Sequence, residues 1–193
     1  MFNVRIHGRG GQGVVTAAEM LSVAAFDMGL HAQAFPTFGS ERTGAPVVAF
    51  CRIHERPITF HEPISHPDAL VIQDATLLHQ VPLLDGVAAR TYLLVNTSRP
   101  LAELGIDELV SSLDPGRVVT LPATELARDR LHRPLPNTAL LGALAALTGI
   151  VSLDAVQRAI GERFAGALAL PNMEVAALAH EHVMATRGDR TGA

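Results

Sequence analysis

Four glycines crowd into six positions near the start of the chain, in the sequence GRGGQG of residues 8–13. The segment before them alternates as a β-strand does, and helical periodicity begins directly after them. Glycine lets the backbone approach a ligand closely, and N–H groups at a helix start attract anions. The loop therefore suits a phosphate or pyrophosphate, although a tight strand-to-helix turn also needs glycine for purely steric reasons. The candidate binding residues here are Gly8, Arg9, Gly10, Gly11, Gln12 and Gly13.

Three of these glycines, Gly8, Gly10 and Gly13, also fit the G-x-G-x-x-G pattern of dinucleotide-binding proteins. An NAD site also needs an acidic residue at the end of the second strand, where it binds the ribose hydroxyls. The predicted second strand ends in QAFPTF without an acid, and Asp27 falls inside the first predicted helix. The sequence therefore argues against an ordinary NAD site.

Two further polar clusters fall where an α/β sheet places its ligands, at strand ends. One is GSERTG of residues 39–44, in which Arg42, beside Glu41, could bind a phosphate or a carboxylate. A surface ion pair or a contact between subunits explains that cluster equally well. The other is PLPNTALLG of residues 134–142, in which Asn137 and Thr138 are expected to face the sheet edge. Asn137 could instead cap the helix that follows.

Composition excludes several classes of protein. All fifteen basic residues are arginine, which excludes a Schiff-base lysine and a phosphate-binding loop of the G-K-[ST] type. The net charge of −4 with no basic run argues against a nucleic-acid surface. No apolar run reaches the length of a membrane span, and the N-terminus predicts a strand, so we expect a cytoplasmic protein.

Cysteine and histidine give little sign of a metal site. The single cysteine, Cys51, lies in the apolar run PVVAFCRI, which predicts a small buried hydrophobic residue. His180 and His182 are two residues apart on a predicted helix and point in different directions, whereas a shared ligand face needs three or four. His54 and the nearby histidines of the same turn-rich stretch are expected at the surface. We find no catalytic triad and no close pair of carboxylates.

Strands alternating with helices predict an α/β fold, a single Rossmann-like layered domain with a largely parallel sheet. The runs ALVIQ, TYLLVNTS and RVVTLPA are nearly all apolar, as expected for strands buried on both faces. PITF is expected to form one more strand after VVAFCRI. The last third is predicted to be helical, with a cap at Ser152 and helix stops at Gly29 and Gly149. Pro171 is expected to open the last helix.

These elements predict one domain over residues 1–185. The segment TRGDRTGA, residues 186–193, is expected to be a disordered tail.

Three segments together resemble the gamma subunit of 2-oxoacid:ferredoxin oxidoreductases, most closely its pyruvate and ketoisovalerate branch. The segments are RIHGRGGQGVVTAAEML, AQAFPTFGSERTGAPVVAFCRI and NTALLGALAALTGIVSLDAV. The likeness runs in order from residue 3 to about residue 184. GRGGQG followed by FGSERTGAP at this spacing is far more specific than the glycine pattern alone.

The resemblance implies a subunit of an oxidoreductase that lacks the catalytic centre. The family converts a 2-oxoacid, CoA and oxidised ferredoxin into acyl-CoA, CO2 and reduced ferredoxin. Alpha and beta subunits carry thiamine diphosphate with Mg, and an iron–sulfur subunit of the delta type carries electrons to ferredoxin. This chain would bind none of these groups alone, and would be inactive by itself.

The resemblance also implies a role for the candidate residues in a shared CoA site. The loop of residues 8–13 would offer N–H groups to the pyrophosphate, with Arg9 as a charge partner. Glu41, Arg42 and Thr43 would lie near the subunit interface, as would Asn137 and Thr138. Many family members have a second arginine in place of Thr43, and this chain therefore has one positive charge fewer there.

Three alternatives remain open. The chain could be a purely structural α/β subunit whose glycine loop is only a turn. It could serve a related complex that passes electrons to NAD, for instance one acting on aromatic 2-oxoacids. A freestanding NAD(P)-dependent dehydrogenase is disfavoured, because both the ribose-binding acid and a catalytic set are missing.

Overall fold

A six-stranded mixed sheet forms the centre of the molecule, in a computed structural model that describes residues 1–37 and 43–191. The strands are β1 (Phe2–Arg9), β2 (His31–Pro36), β3 (Pro46–His54), β4 (Ala69–Ile72), β5 (Tyr92–Asn96) and β6 (Val118–Leu121). Their order across the sheet is β2-β3-β1-β4-β5-β6. Strands β1, β4, β5 and β6 run parallel, whereas β3 is antiparallel to both of its neighbours. The predicted α/β fold with a largely parallel sheet is confirmed.

The helices are α1 (Val14–Asp27), α2 (Asp107–Ser112), α3 (Ala123–Leu131), α4 (Asn137–Thr148), α5 (Leu153–Arg163) and α6 (Ala169–Thr191). In the part of the chain that the structure describes, no helix combines the length and apolarity that crossing a membrane requires.

Alternation along the strands divides the core between the two faces of the sheet. Val4 and Ile6 of β1 and Val71 of β4 belong to the larger cluster, which α1, α4, α5 and α6 cover. Leu70 and Ile72 of β4 belong to a smaller cluster on the opposite face. Helix α4 lies deepest, because each residue from 137 to 147 is buried.

Local helix signals in the sequence are confirmed where they depend on one residue and its near neighbours in the chain. Gly149 directly follows α4, and Gly29 follows α1 after Met28; both take left-handed conformations, with φ of 67° and 79°. The Ser152 hydroxyl accepts a hydrogen bond from the Ala155 N–H at 3.1 Å, and so caps α5.

The strand predicted for PITF is wrong. Residues 57–60 form no regular structure. A strand there would have to pair with β3, but β1 and β2 already occupy both edges of that strand.

The starts of two helices also differ from expectation. Asn137 is the first residue of α4 rather than its cap, and Pro136 takes the capping position without a side-chain hydrogen bond. Helix α6 begins at Ala169, two residues before Pro171, which the first turn of a helix tolerates. The same helix ends at Thr191. The disordered tail expected for residues 186–193 stays a prediction.

Candidate functional site

The glycine loop connects β1 to α1, and two of its glycines are required sterically. A Cβ atom on Gly8 would lie 2.6 Å from Cγ2 of Val14, in the first turn of α1. Gly13 has a left-handed φ of 74° and precedes α1 directly. A Cβ atom there would lie 2.5 Å from Nδ2 of Asn137. Gly8 therefore lets α1 pack closely against β1. Gly13 lets the start of α4 lie against the glycine loop.

The contact between Gly13 and Asn137 places the starts of two helices side by side. Neither α1 nor α4 has a side-chain cap, and neither has an acidic residue in its first turn. The first N–H groups of a helix have no partner within it, and carry a partial positive charge. Two uncapped helix starts at one place therefore favour an anion.

The loop N–H groups are only partly available, however. The N–H of Arg9 donates to Oε1 of Gln12 at 2.8 Å, and that of Gly10 to the Ala45 carbonyl at 2.9 Å. The N–H of Gln12 donates to the Arg9 carbonyl at 3.0 Å. The groups left for an anion are those of Gly11, Gly13 and the first turn of α1.

Arg9 is bound within the protein on all sides. Its Nε donates to Oδ2 of Asp74 at 3.0 Å, and its Nη1 donates to the Gly44 carbonyl at 3.1 Å. Its Nη2 donates to Thr76 Oγ1 at 2.6 Å and to Gln80 Oε1 at 3.0 Å. The guanidinium thus ties the loop to the end of β4, and Asp74 offsets its charge.

Asp74 organises this side of the site. Besides Arg9 it accepts a hydrogen bond from Nε2 of Gln12 at 3.0 Å. Burial acts to raise the pKa of its carboxyl, but hydrogen bonds from Thr76 and Gln12 and the charge of Arg9 outweigh burial, so its pKa lies below the usual value. Asp74 therefore remains charged at neutral pH.

Gln73 and Asn96 complete the carboxyl edge of the sheet and were not identified from the sequence. Both border a cleft of about 390 Å³ beside the glycine loop. Gln73 is 1% exposed, and neither polar atom of its side chain has a partner among the described residues. Asn96 donates to the Gln73 carbonyl at 2.7 Å and binds Thr124. A polar residue at the carboxyl end of an apolar run, as in ALVIQD and TYLLVN, is the signal that could have found them.

The remaining predicted residues fall into different places. Thr43 is exposed, and its Cγ2 lies 3.9 Å from where a Cβ of Gly11 would be. Thr138 is 0% exposed and donates to Oδ1 of Asn172 at 3.1 Å, so it lies within helix packing. Glu41 and Arg42 lie outside the described residues.

Cys51 is fully buried, as predicted, and burial raises the pKa of its thiol to about 12. His7 is also largely buried, and burial with the nearby charge of Arg5 lowers its pKa to about 4. Across residues 1–37 and 43–191, no group of three or more His, Cys, Asp or Glu side chains could hold a metal ion.

Fold and site together define an α/β protein that presents a glycine loop and two uncapped helix starts at the carboxyl edge of its parallel strands. The model of the pyruvate ferredoxin/flavodoxin oxidoreductase family matches residues 3–182, and the chain belongs to this family.

Relatives confirm the resemblance to gamma subunits. The common gamma subunit of the pyruvate/ketoisovalerate oxidoreductases of Thermococcus kodakarensis is 45% identical, over 91% of this chain and 94% of that protein. The crystal structure of the pyruvate oxidoreductase subunit PORC of Thermotoga maritima superposes with a TM-score of 0.78 at 35% identity, covering 93% of this chain and 95% of that one.

One larger protein shares the fold. The 2-oxoglutarate:ferredoxin oxidoreductase of Magnetococcus marinus, solved with 2-oxoglutarate, coenzyme A and succinyl-CoA bound, has a TM-score of 0.75 at 16% identity. The match covers 96% of this chain but 31% of that one.

Proposed function

We propose that this chain is the gamma subunit of a cytoplasmic, thiamine-diphosphate-dependent 2-oxoacid:ferredoxin oxidoreductase. The complex would convert a 2-oxoacid, CoA and oxidised ferredoxin into acyl-CoA, CO2 and reduced ferredoxin. The family match and the gamma-subunit relatives, which align over nearly their whole length, support this assignment.

Partner subunits would carry the chemistry. Alpha and beta subunits would hold thiamine diphosphate with Mg, and an iron–sulfur subunit would carry the electrons. This division agrees with Cys51, whose buried thiol and raised pKa suit packing rather than cluster ligation.

The part proposed for this chain is to bind the pyrophosphate of CoA. The observation that carries the proposal is the meeting of two uncapped, acid-free helix starts at Gly13 and Asn137. Gln73, whose buried amide has no partner among the described residues, lies at the other end of the same loop, with its Cβ 3.1 Å from where a Cβ of Gly8 would be. The Magnetococcus marinus enzyme, which shares the fold, was solved with coenzyme A bound.

Asn137→Asp tests this site, because it keeps the side-chain shape and adds a negative charge between the two helix starts. An acid in the first turn of a helix is favourable, so α4 should still form. Repulsion of the pyrophosphate should raise the KM for CoA about tenfold or more in the assembled complex. Steady-state kinetics at varied CoA concentration measures this KM.

Met184→Glu is the charge control, since Met184 is exposed on α6 and adds the same charge outside the site. It should leave the KM for CoA unchanged. If Asn137→Asp behaves like this control, the loop does not bind an anion.

A purely structural subunit is the second candidate. The steric need for glycine at positions 8 and 13 favours it, since packing alone explains both residues. A purely structural role predicts that a negative charge at position 137 leaves the KM for CoA unchanged.

A further inference from the structure

The half of the sheet formed by β1, β2 and β3 is packed by a helix on one face only. Helix α1 lies against these three strands, and Ala49, Cys51 and Ile53 of β3 belong to the larger cluster on that face. On the opposite face the smaller cluster packs on β4, β5 and β6, and it includes no described residue of β1, β2 or β3. The side chains that β2 and β3 direct to this second face therefore belong to neither core.

Several of these side chains are apolar. An antiparallel pair of strands can leave one face in water, and it then carries polar residues on that face. Here the face carries Phe35 of β2 and Val48 and Phe50 of β3, none of which joins either cluster. Phe35 and Val48 are only half-buried. The face thus has the composition of an interior without a layer of the described chain to complete it.

Arg52 lies among the aromatic rings of this face. It follows Phe50 by two positions on β3, and it is 4% exposed. Its guanidinium carbon lies 5.1 Å from the ring centre of Phe35 and 4.7 Å from that of Phe60, which is itself 42% exposed. Both rings are close enough for cation–π attraction. We call Phe35, Val48, Arg52 and Phe60 the β2–β3 surface.

The charge of Arg52 is not paired within the described ranges. Its Nη2 donates to the carbonyl of Glu62, but its Nη1 is buried without a partner, and the guanidinium makes no ion pair. Burial lowers the pKa of Arg52, and the charge of Glu62 only partly opposes this effect. A buried charge without a partner is costly. A carboxylate supplied from outside the chain would offset that cost.

A cavity of about 300 Å³ gives such a carboxylate room beside Arg52 and Phe60. Asn3 also lines it, which places the cavity at the amino end of β1, whereas the glycine loop follows the carboxyl end of that strand. The cavity is therefore separate from the proposed CoA site. Glu62 borders it as well, but its side chain is exposed and leaves Arg52 without an ion pair.

We propose that the β2–β3 surface docks a partner subunit, which packs apolar side chains on Phe35, Val48 and Phe60 and inserts an aspartate or glutamate beside Arg52. The inference rests on the proposed function, because that function supplies the partner subunits. Charge complementarity selects an acidic partner, since the cation at the centre of the surface is unpaired. Arginine and aromatic residues are also the types enriched at the energetic centres of interfaces.

Phe60→Glu tests this interface, because it places a carboxylate beside Arg52 that takes the position of the partner's and repels it. A tagged chain with this substitution should copurify with at least tenfold less of the partner subunits than the wild type, as expected for the loss of one charge-assisted contact. The measured quantity is the ratio of partner subunits to tagged chain. Since Phe60 is exposed and lies outside regular structure, the variant should fold normally.

Phe60→Gln is the matched variant, because it loses the same ring and has the shape of glutamate without the charge. It should retain most of the partner subunits. Phe26→Glu adds the same charge at another exposed phenylalanine, at the end of α1, and should leave the ratio unchanged. Equal losses with Phe60→Glu and Phe60→Gln, equal losses with Phe60→Glu and Phe26→Glu, or no loss with Phe60→Glu would overturn the inference.

Native mass spectrometry of the complexes separates the remaining outcomes. If Phe60→Glu removes only a second copy of this chain, the surface joins two copies and the inference is wrong. If the wild-type chain copurifies with no other subunit, the proposed function itself is wrong.

Discussion

Gly142→Ala should lower the free energy of unfolding of this chain by about 3 kcal/mol, as overpacking of a rigid core does. A Cβ atom on Gly142 would lie 1.9 Å from the carbonyl oxygen of Ala176. This oxygen is backbone, so α4 and α6 have to move apart to admit the methyl group. Denaturant unfolding of the purified chain measures the change.

Gly161→Ala is the matched control, because it is also a glycine-to-alanine change inside a helix. Its Cβ would meet Cε of Met173 at 2.6 Å, and that flexible end of a side chain can turn aside. Alanine also favours the helix by up to about 1 kcal/mol. Gly161→Ala should therefore be neutral or stabilising. Equal stability of the two variants would contradict the close packing of α4 on α6.

Gly11→Val should raise the KM for CoA at least tenfold, while decarboxylation measured without CoA stays nearly intact. Gly11 has a φ of 94°, which a β-branched residue adopts only under strain of about 1–3 kcal/mol. Its surroundings are open, with Thr43 Cγ2 at 3.9 Å as the nearest atom that a Cβ would meet. The substitution should therefore turn the loop backbone, and redirect its N–H groups, without disturbing the core.

Gly29→Val imposes a similar strain elsewhere, since Gly29 has a φ of 79° and would place its Cβ in open space. It ends α1 at the opposite end from the loop. We expect a loss of stability there with no change in the KM for CoA. If Gly11→Val instead reduces both reactions equally, the loop has a structural role alone.

The fold could be predicted well from the sequence where local patterns dominate. Apolar runs identified β4, β5 and β6, because strands covered on both faces need no alternation. Gly149 and Ser152 marked helix ends through backbone and capping chemistry that depends on a few neighbouring residues.

Predictions failed where contacts between residues distant in sequence determine the local structure. PITF has the composition of a strand, but β3 has no free edge for it. Asn137 is a good capping residue, but its amide lies against Gly13, a contact made by chain folding. No local pattern carries either fact.

The candidate site was predictable in position but not in detail. Glycine spacing located the loop, and the apolar strands placed it at the ligand-binding edge. The sequence could not show that Arg9 is bound by Asp74, Thr76 and Gln80. That network joins residues about 65 positions apart, which no local pattern reveals. The role of Arg9 as a charge partner of a bound pyrophosphate stays a prediction.

The most direct test of the account compares the chain alone with the chain in its complex. A tagged chain, copurified from its own cells with larger iron–sulfur-containing partners, should form acyl-CoA from a 2-oxoacid, CoA and oxidised ferredoxin. A panel of 2-oxoacids, with ferredoxin and NAD as acceptors, identifies the substrate and the acceptor.

The same chain purified by itself should form no acyl-CoA above the blank under identical conditions. Turnover by the isolated chain at a rate comparable to that of the complex would contradict the account.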